Sequence, residues 1–366
     1  MTVFIDLARR AVSHPHTSAF VKRAINIEET PVWRVSIIYA SIFIAVVAIS
    51  LVSYALNQVV VTLCMVESPV AAITVSETRS TPASEKEDGD EKETLLEAGP
   101  TITLVNAKPI TSSIRATLRH LVAHAGRWSR FRGFRIHALY SVLTGLTSIF
   151  FSGALPNMPG KAVLGAGLTG ALLANVHAAW THKVVAMPTN ASLWQRIPSK
   201  AHWKTLAVPA ALKAVMPFVS MYLTVSVAML LQLHKLQSEN FDSCAQRIGL
   251  IARFLTVVVF AISCTLFLCL PAMVTLVRIE ASLLPEDHDT IVPFDRTFGG
   301  KVVSKMIGGT GVVGFLDAWR SFNWEARRRL IKLFVKNFFI TVGMFVVALH
   351  VIAIEAFILG DAARKL

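Results

Sequence analysis

Charged residues are scarce in this chain. They make up 16% of its 366 residues, whereas soluble domains carry about 25%. The deficit is concentrated in uncharged runs long enough to cross a bilayer, which takes about 20 residues of helix. The mean hydropathy of +0.56 points the same way. The composition argues against the two soluble domains that the length alone would suggest, and it predicts an all-α membrane protein.

Cysteine is also sparse, with four residues in the chain. Cys64, Cys264 and Cys269 lie in apolar runs, where the thiol behaves as a small hydrophobic group. No Cys-x-x-Cys pair occurs, and no cysteine stands beside clustered histidines. Neither a disulfide framework nor a zinc site is therefore predicted.

Sequence signatures of catalysis and nucleotide binding are missing as well. No G-x-S-x-G, H-E-x-x-H or P-loop pattern occurs. Residues 309–314 match G-x-G-x-x-G, but a Gly-rich loop and a membrane-proximal helix flank them, not the strand and helix of a dinucleotide site. We predict no catalytic residue, no cofactor and no metal site, and we favour a non-enzymatic function.

Six apolar runs are predicted to span the membrane. Span 1 is residues 35–66, and spans 2 to 5 fall within residues 136–277. The segment 337–366 contains span 6, followed by a short C-terminal tail. Within the middle block the spans cover 137–155, 162–180, 206–233 and 254–277. Ala166 and Gly170 in span 3 form a small-xxx-small pair, which predicts close packing against span 2 or span 4.

Four segments outside the spans have distinct compositions. Residues 1–34 contain no long apolar run, so we expect an interfacial segment and not a secretory signal. Residues 67–110 are acidic and rich in Ser, Thr and Pro, and are predicted to be a disordered linker. Residues 111–135 read as a basic amphipathic helix. Residues 278–336 form a long loop that ends in a second amphipathic helix, with Asn323 as its N-cap.

Basic residues and tryptophans gather at the ends of the spans. Trp180, Trp194 and Trp203 stand among lysines and arginines, a pattern typical of the membrane–water interface. We therefore assign the net charge of +13 to contact with the bilayer and its anionic headgroups at the basic helices, and not to nucleic acid. The composition does not identify protein partners of the loops.

The distribution of positive charge predicts an orientation. The three long loops hold 24 of the 36 lysines and arginines. The positive-inside rule therefore places these loops in the cytosol and both termini outside or in a lumen. An endomembrane or the plasma membrane is favoured, and the mitochondrial inner membrane is the remaining alternative.

Ionisable residues at membrane depth are the candidate functional residues, because their burial in lipid is costly. They are Lys213, Glu355, His177 and His350. A Lys213–Glu355 pair in a polar cavity would suit a small-solute transporter, whereas side chains that extend to the headgroups would be structural. The alternative function is a membrane enzyme acting on lipid, for which His177 and His182 would converge with a carboxylate.

Three segments carry a resemblance to a known family. They are KPITSSIRATLRHLVAHAGRWSRFRGF, HAAWTHKVV with the following WQRIPS, and LLPEDHDTIVPFDRTFGGKVV with the following GFLDAWRSF. The chain resembles fungal multi-span membrane proteins often labelled "ubiquitin carrier protein". Ubiquitin conjugation needs a soluble α/β domain with an exposed cysteine, and this sequence contains neither. The resemblance therefore implies a fungal origin and a membrane location.

Six spans with long odd-numbered loops are also typical of mitochondrial carriers. Those carriers contain three repeats, each with P-x-[DE]-x-x-[KR] at the end of an odd span. Here Pro271 is followed by Met273 and Leu276 where the acid and the base belong, and spans 1 and 3 lack the proline. A mitochondrial carrier is therefore the less favoured interpretation.

Overall fold

The computed structural model describes residues 32–68, 71–76, 101–106, 108–189, 193–235, 244–285, 287–303 and 308–362. Within these ranges the chain is mainly helical. The α-helices are α1 (Val32–Ser53), α2 (Val61–Val66), α3 (Ile114–Ala125), α4 (Phe134–Ala154), α5 (Lys161–Leu172), α6 (Ala174–Val185), α7 (Leu193–Arg196), α8 (Lys200–Leu230), α9 (Cys244–Cys264), α10 (Leu270–Ser282), α11 (Phe315–Arg320) and α12 (Trp324–Ala362). Two π-helical segments, Tyr54–Val60 and Thr265–Cys269, join α1 to α2 and α9 to α10.

Five helices of the described residues are long and apolar enough to cross a membrane, or six if the bent pair α5–α6 is one span. The five are Ser36–Val66, Arg127–Ala154, His202–Leu230, Cys244–Ser282 and Trp324–Ile358. Their outer faces expose large apolar side chains such as Ile44, Phe150 and Phe345, each more than half accessible. Since exposure of such surface to water is unfavourable, these faces suit a bilayer. The prediction of a helical polytopic membrane protein is confirmed at this level.

The third predicted span is not one straight helix. α5 and α6 meet at Leu173 with a bend of 59°, so the segment predicted as span 3, residues 162–180, consists of two helices. α6 is drawn into the interior of the protein, where Ala174, Ala178 and Thr181 are completely buried. The bend therefore turns the polar residues of α6 towards its helical neighbours.

Several helices extend beyond the apolar runs from which they were predicted. α10 continues to Ser282, although the sequence predicted that span 5 ends at residue 277. α12 joins the second amphipathic helix and span 6 in a single helix. The Oδ1 atom of Asn323 accepts the N–H of Ala326 at 3.0 Å, which confirms the predicted N-cap. α10 continues past the charged Arg278 because this side chain donates to the Met65 carbonyl and to Ser321 Oγ inside the protein.

The long connections fold together over one end of the helices. We call this region the cap: the described residues of 108–133, 186–199 and 283–323. The N–H of Met187 donates to the carbonyl of Asp289 at 2.7 Å, and His120 Nε2 lies 2.7 Å from the carbonyl oxygen of Ile291. α2, α6 and α10 end at the cap, and α4, α8 and α12 begin there.

Two predictions for the loops need correction. The linker 67–110 is not irregular throughout, because Ala71–Ser76 and Thr101–Asn106 pair as antiparallel strands β1 and β2. Both strands are rich in Ile, Val and Thr, which favour extended backbone, whereas residues 77–100 between them lie outside the described residues. The predicted helix over 111–135 is interrupted at Gly126, whose φ is +79°.

The apolar face of α3 packs on the protein itself. Leu121 is completely buried, and Ile114 and Leu118 pack against the same apolar cluster. This apolar face is therefore buried inside the protein and does not face lipid. Of the predicted interfacial segment 1–34, residues 1–31 lie outside the described residues.

Candidate functional site

A carboxylate with no exposed surface lies at the centre of the candidate site. Glu280, on the last turn of α10, is 0% accessible. Its Oε1 atom is 2.6 Å from His177 Nδ1, and its Oε2 atom accepts the hydroxyl of Thr181 at 2.5 Å. The backbone carbonyl of Glu280 is 2.8 Å from His182 Nε2. One residue of α10 thus holds three polar side chains of α6.

Lys213 completes the arrangement from α8. Its Nζ atom is 3.3 Å from His177 Nε2, on the side of the imidazole opposite Glu280. The same ammonium lies 5.8 Å from the ring centroid of Tyr140 on α4, and the Tyr140 and His177 rings meet edge to face at 5.2 Å. We call Lys213, His177 and Glu280 the Lys–His–Glu chain.

The hydrogen-bond roles in the Lys–His–Glu chain follow from the groups at its two ends. A carboxylate only accepts hydrogen bonds, so His177 donates from Nδ1 to Glu280. The lone pair on Nε2 then accepts from the ammonium of Lys213. A neutral imidazole therefore joins one positive and one negative charge, which keeps the buried group neutral overall. An unpaired charge at this depth would be strongly unfavourable.

Beyond Lys213 lies a cavity of about 430 Å³ between α4, α5 and α8. We call it the slot. Four hydroxyl residues of α4 line it at four-residue spacing, Tyr140, Thr144, Ser148 and Ser152. This stripe covers about 18 Å of helix, and Lys161 lies at its far end. The lining of the slot has two lysines and no acidic residue.

Small residues make room for the slot and hold its walls together. Gly170 of α5 meets α8 so closely that a Cβ atom there would lie 2.6 Å from the Ala210 carbonyl oxygen and 2.7 Å from the Ala214 Cβ. This confirms the predicted close contact between spans 3 and 4. Pro217 also lines the slot, and its missing N–H leaves the Lys213 carbonyl without its usual helical donor.

The four candidate residues from the sequence separate into two groups. Lys213 and His177 are in contact, as described above. Glu355 lies on α12 and accepts the hydroxyl of Ser41 on α1 at 2.9 Å. The Lys213–Glu355 pair, which the sequence left open as one of two arrangements, is not formed, because each residue has a different partner on a different pair of helices. His350 is exposed, and its Nδ1 atom lies 2.7 Å from the Val346 carbonyl oxygen of its own helix.

Glu280 was missed because the sequence pattern placed it in a loop. The uncharged run ends at Val277, and Arg278 and Glu280 follow it directly. In the structure both side chains lie on α10, and Arg278 donates to the Met65 carbonyl at 3.1 Å and to Ser321 Oγ at 3.0 Å. An Arg-x-Glu at the end of an apolar run was the available signal.

The donor set of the site is unlike a metal centre. No group of three or more His, Cys, Asp or Glu side chains that could hold a metal ion occurs in the part of the chain that the structure describes. No protein-family model, curated protein or solved structure matches the chain. Its function must therefore be argued from the Lys–His–Glu chain and the slot.

Proposed function

We propose that the protein is a six-span integral membrane carrier that binds a small anion in the slot, at Lys213. The observation that carries the proposal is the position of the Lys213 ammonium. The ammonium lies 3.3 Å from His177 Nε2 on one side and borders a cavity lined by hydroxyl groups on the other. Ligand sites of this kind combine an apolar enclosure with a few fixed polar groups.

The electrostatics of the slot favour an anion over a cation. Lys213 and Lys161 are the only ionisable groups other than Tyr140 in its lining. Lys161 donates to Asn157 Oδ1 at 3.0 Å, which holds it at the far end. A carboxylate or phosphate could bond the ammonium of Lys213 and the hydroxyls of α4 together. The slot volume of about 430 Å³ suits a small solute.

The Lys–His–Glu chain supplies the charge balance that such a site needs. When the slot is empty, Glu280 neutralises Lys213 through His177. When an anion binds, the local charge becomes more negative, and one proton taken up by the Lys–His–Glu chain as a whole would restore neutrality. We therefore propose that anion binding is coupled to protonation of this chain.

The topology belongs to the same proposal. Counting α5–α6 as one span gives six crossings, with the cap in the cytosol and both termini on the opposite side. The excess of lysine and arginine in the cap supports this orientation. The basic helices would then face anionic headgroups of the cytosolic leaflet, in an endomembrane or the plasma membrane.

A membrane enzyme acting on lipid is the second candidate, because His177 and His182 do converge on Glu280. A histidine that activates a nucleophile presents its second nitrogen to a hydroxyl or thiol. Here that nitrogen of His177 contacts Lys213, and His182 Nε2 bonds the backbone carbonyl of Glu280. The geometry therefore favours a binding role for Lys213 over nucleophilic catalysis.

The experiment measures anion-dependent stabilisation of the purified protein in detergent. Thermal unfolding is followed with inorganic phosphate, sulfate, succinate and citrate, each added as the sodium salt. A ligand present at 100 times its Kd stabilises by about 2.7 kcal/mol, so an anion that binds raises the Tm. We expect one class of anion to do so in the wild type and in Lys213→Arg, and to raise the Tm less in Lys213→Met, where only the general effect of the salt and any binding outside the slot remain.

Lys204→Met is the matched control, because Lys204 is an exposed lysine of the same helix. It should retain the anion response. Equal responses in Lys213→Met and the wild type would refute the proposal, as would the absence of a response to every anion. The stabilising anion is then tested for uptake into proteoliposomes with an imposed pH gradient, and a lipid hydrolase assay tests the enzymatic candidate.

A further inference from the structure

A second cavity, of about 460 Å³, lies at the edge of the cap, far in sequence from the slot residues. It is enclosed by the first three turns of α12 and by the chain segment 108–114, which leads into α3. We call it the basic pocket. Five basic side chains line it, Lys108, Arg328, Arg329, Lys332 and Lys336, and Glu325 is the acidic residue of the lining.

Helical spacing brings the basic residues of α12 to one side. Arg329, Lys332 and Lys336 follow one another at intervals of three and four residues, so they share a face. Among the described residues, no carboxylate lies within 4 Å of Lys108, Lys332 or Lys336. Within the described part of the chain, the charges of these three lysines are therefore not neutralised by a nearby carboxylate, whereas Arg329 is paired with Glu67.

The floor of the basic pocket is rigid. Glu67 is almost completely buried and accepts the N–H of Ile110 at 2.6 Å and that of Thr111 at 3.1 Å. Arg329 Nη2 reaches the same residue, 3.6 Å from the carboxylate and 3.2 Å from its carbonyl oxygen. These bonds tie segment 108–114 to α12, so the cationic groups are held together before a ligand arrives.

Arg329 also retains a donor that the protein leaves unused. Its Nε atom is buried and has no hydrogen-bond partner among the described residues. Burial of a hydrogen-bond donor without a partner is unfavourable. Arginine and lysine together are the side chains that proteins use most for phosphate groups.

The pocket stands where α12 enters its apolar run. Lys336 is the last charged residue before Glu355, and Phe338 and Phe339 are each more than 60% exposed. Basic residues at this point of a span lie at headgroup depth. A headgroup in the pocket would therefore have its acyl chains beside the exposed apolar surface of α12.

We infer that the basic pocket binds an anion carrying more than one phosphate group, supplied as the headgroup of a membrane lipid. The inference is independent of the slot, because the two cavities share no lining residue. Five cationic side chains line the pocket, and an anion with several phosphate groups offers them more acceptors and more charge than a single phosphate does.

The test uses the full-length protein in a neutral detergent and fluorescent inositol trisphosphate as the probe. Binding is measured by fluorescence anisotropy in the wild type and in Lys332→Gln/Lys336→Gln. The matched control is Arg115→Gln/Arg119→Gln, which removes two exposed basic residues of the cap outside the pocket. We expect the pocket variant to weaken binding by about tenfold or more and the control to change it by less than about twofold.

Competition by unlabelled ligands separates the sources of the anion. Short-chain phosphatidylinositol bisphosphate should displace the probe more strongly than free inositol trisphosphate, because its acyl chains add apolar contact. Equal displacement would show a phosphate site filled from solution and would overturn the lipid assignment. Unchanged binding in the pocket variant, or an equal loss in the control, would overturn the site itself. The Tm of each variant without ligand verifies that it is folded.

Discussion

At the scale of single residues, Glu280 decides the chemistry of the membrane interior. Its carboxylate bonds His177 and Thr181, and through His177 it balances the charge of Lys213. Removal of one member of a buried charged network leaves the others without compensation, which is strongly destabilising. The coupling energy between Lys213 and a second residue can therefore be measured, and it shows which residue is its partner.

A double-mutant cycle tests that partner. We expect Lys213→Met and Glu280→Gln to be coupled by about 1–3 kcal/mol in the free energy of unfolding, because both act on one network. Lys213→Met and Glu355→Gln should be additive within about 0.5 kcal/mol, since Glu355 bonds Ser41 on other helices. Chemical unfolding in detergent micelles provides the four free energies of each cycle. Coupling to Glu355 in place of Glu280 would contradict the geometry.

Asp295 provides a second prediction at this scale, in the cap. Partial burial would raise its pKa, but the hydroxyl of Thr297, the N–H groups of Thr297 and Gly299 and the charge of Arg278 together bring that pKa below its usual range. A carboxyl with a lowered pKa in the folded state adds stability above its unfolded pKa of about 3.9, and this stability is lost as the pH falls through the folded value.

We therefore expect Asp295→Asn to lower the stability of the protein at neutral pH by about 1–2 kcal/mol. The difference from the wild type should shrink as the pH falls below about 4. Thermal unfolding across this pH range measures it. Asp287→Asn is the control, because the Asp287 side chain is 79% exposed and its carboxylate lies 3.9 Å from His288 Nε2. A loss that is independent of pH would argue against the carboxylate as its cause.

At the scale of elements, the contact between α5 and α8 shapes the slot. Gly170 allows the two helix backbones to touch. A Cβ atom built at Gly167 would lie 3.2 Å from Val215 Cγ2. Small residues bring helices together in lipid because dispersion contacts replace the hydrophobic effect there. The width of the slot depends on this contact, since Lys213 and Ala214 stand on the same turn of α8.

We expect Gly170→Ala to destabilise the protein by about 1–3 kcal/mol, the usual result of overpacking, and to weaken any anion response of the slot. Gly153→Ala on α4 is the matched control, because a Cβ there meets no atom within 4 Å. That change should be neutral or stabilising by up to about 1 kcal/mol. Thermal unfolding of both variants measures the difference. Equal stabilities of the two variants would mean that α5 and α8 can move apart without loss of protein stability.

At the scale of the whole molecule, the cap and the opposite end are different surfaces. The three long connections build the cap, whereas α9 begins at the other end with Cys244. Cys244 is exposed, and Cys64 and Cys264 are buried. This distribution makes Cys244 a natural reporter of the side of the membrane.

We expect a membrane-impermeant maleimide to label Cys244 from outside in intact cells or, for an endomembrane, only after the lumen is opened. An Asp287→Cys substitution in the cap should react from the cytosolic side. The comparison of labelling before and after selective permeabilisation measures both. Cytosolic labelling of Cys244 would reverse the proposed orientation while leaving the fold unchanged.

The apolar spans and the N-cap at Asn323 could be predicted because they depend on local sequence. Transfer of a side chain into lipid contributes almost independently at each position, so a run of apolar residues indicates a span wherever it occurs. Close packing of Ala166 and Gly170 against a neighbouring span, span 2 or span 4, could also be predicted, because small residues at this spacing have few other uses in a membrane helix.

The end of α10, the bend at Leu173 and the Lys–His–Glu chain could not be predicted, because they depend on residues far apart in sequence. The charge at Arg278 indicated the end of a span, but partners from α2 and α11 allow the helix to continue to Ser282. The rule that ionisable residues are rare in apolar runs made Lys213 and Glu355 candidates, but it did not identify their partners. Sequence by itself determined which segments enter the membrane, since that depends on local transfer energies. Only the tertiary structure decided that Lys213 meets His177 and Glu280, since the pairing of buried charges depends on how three helices pack.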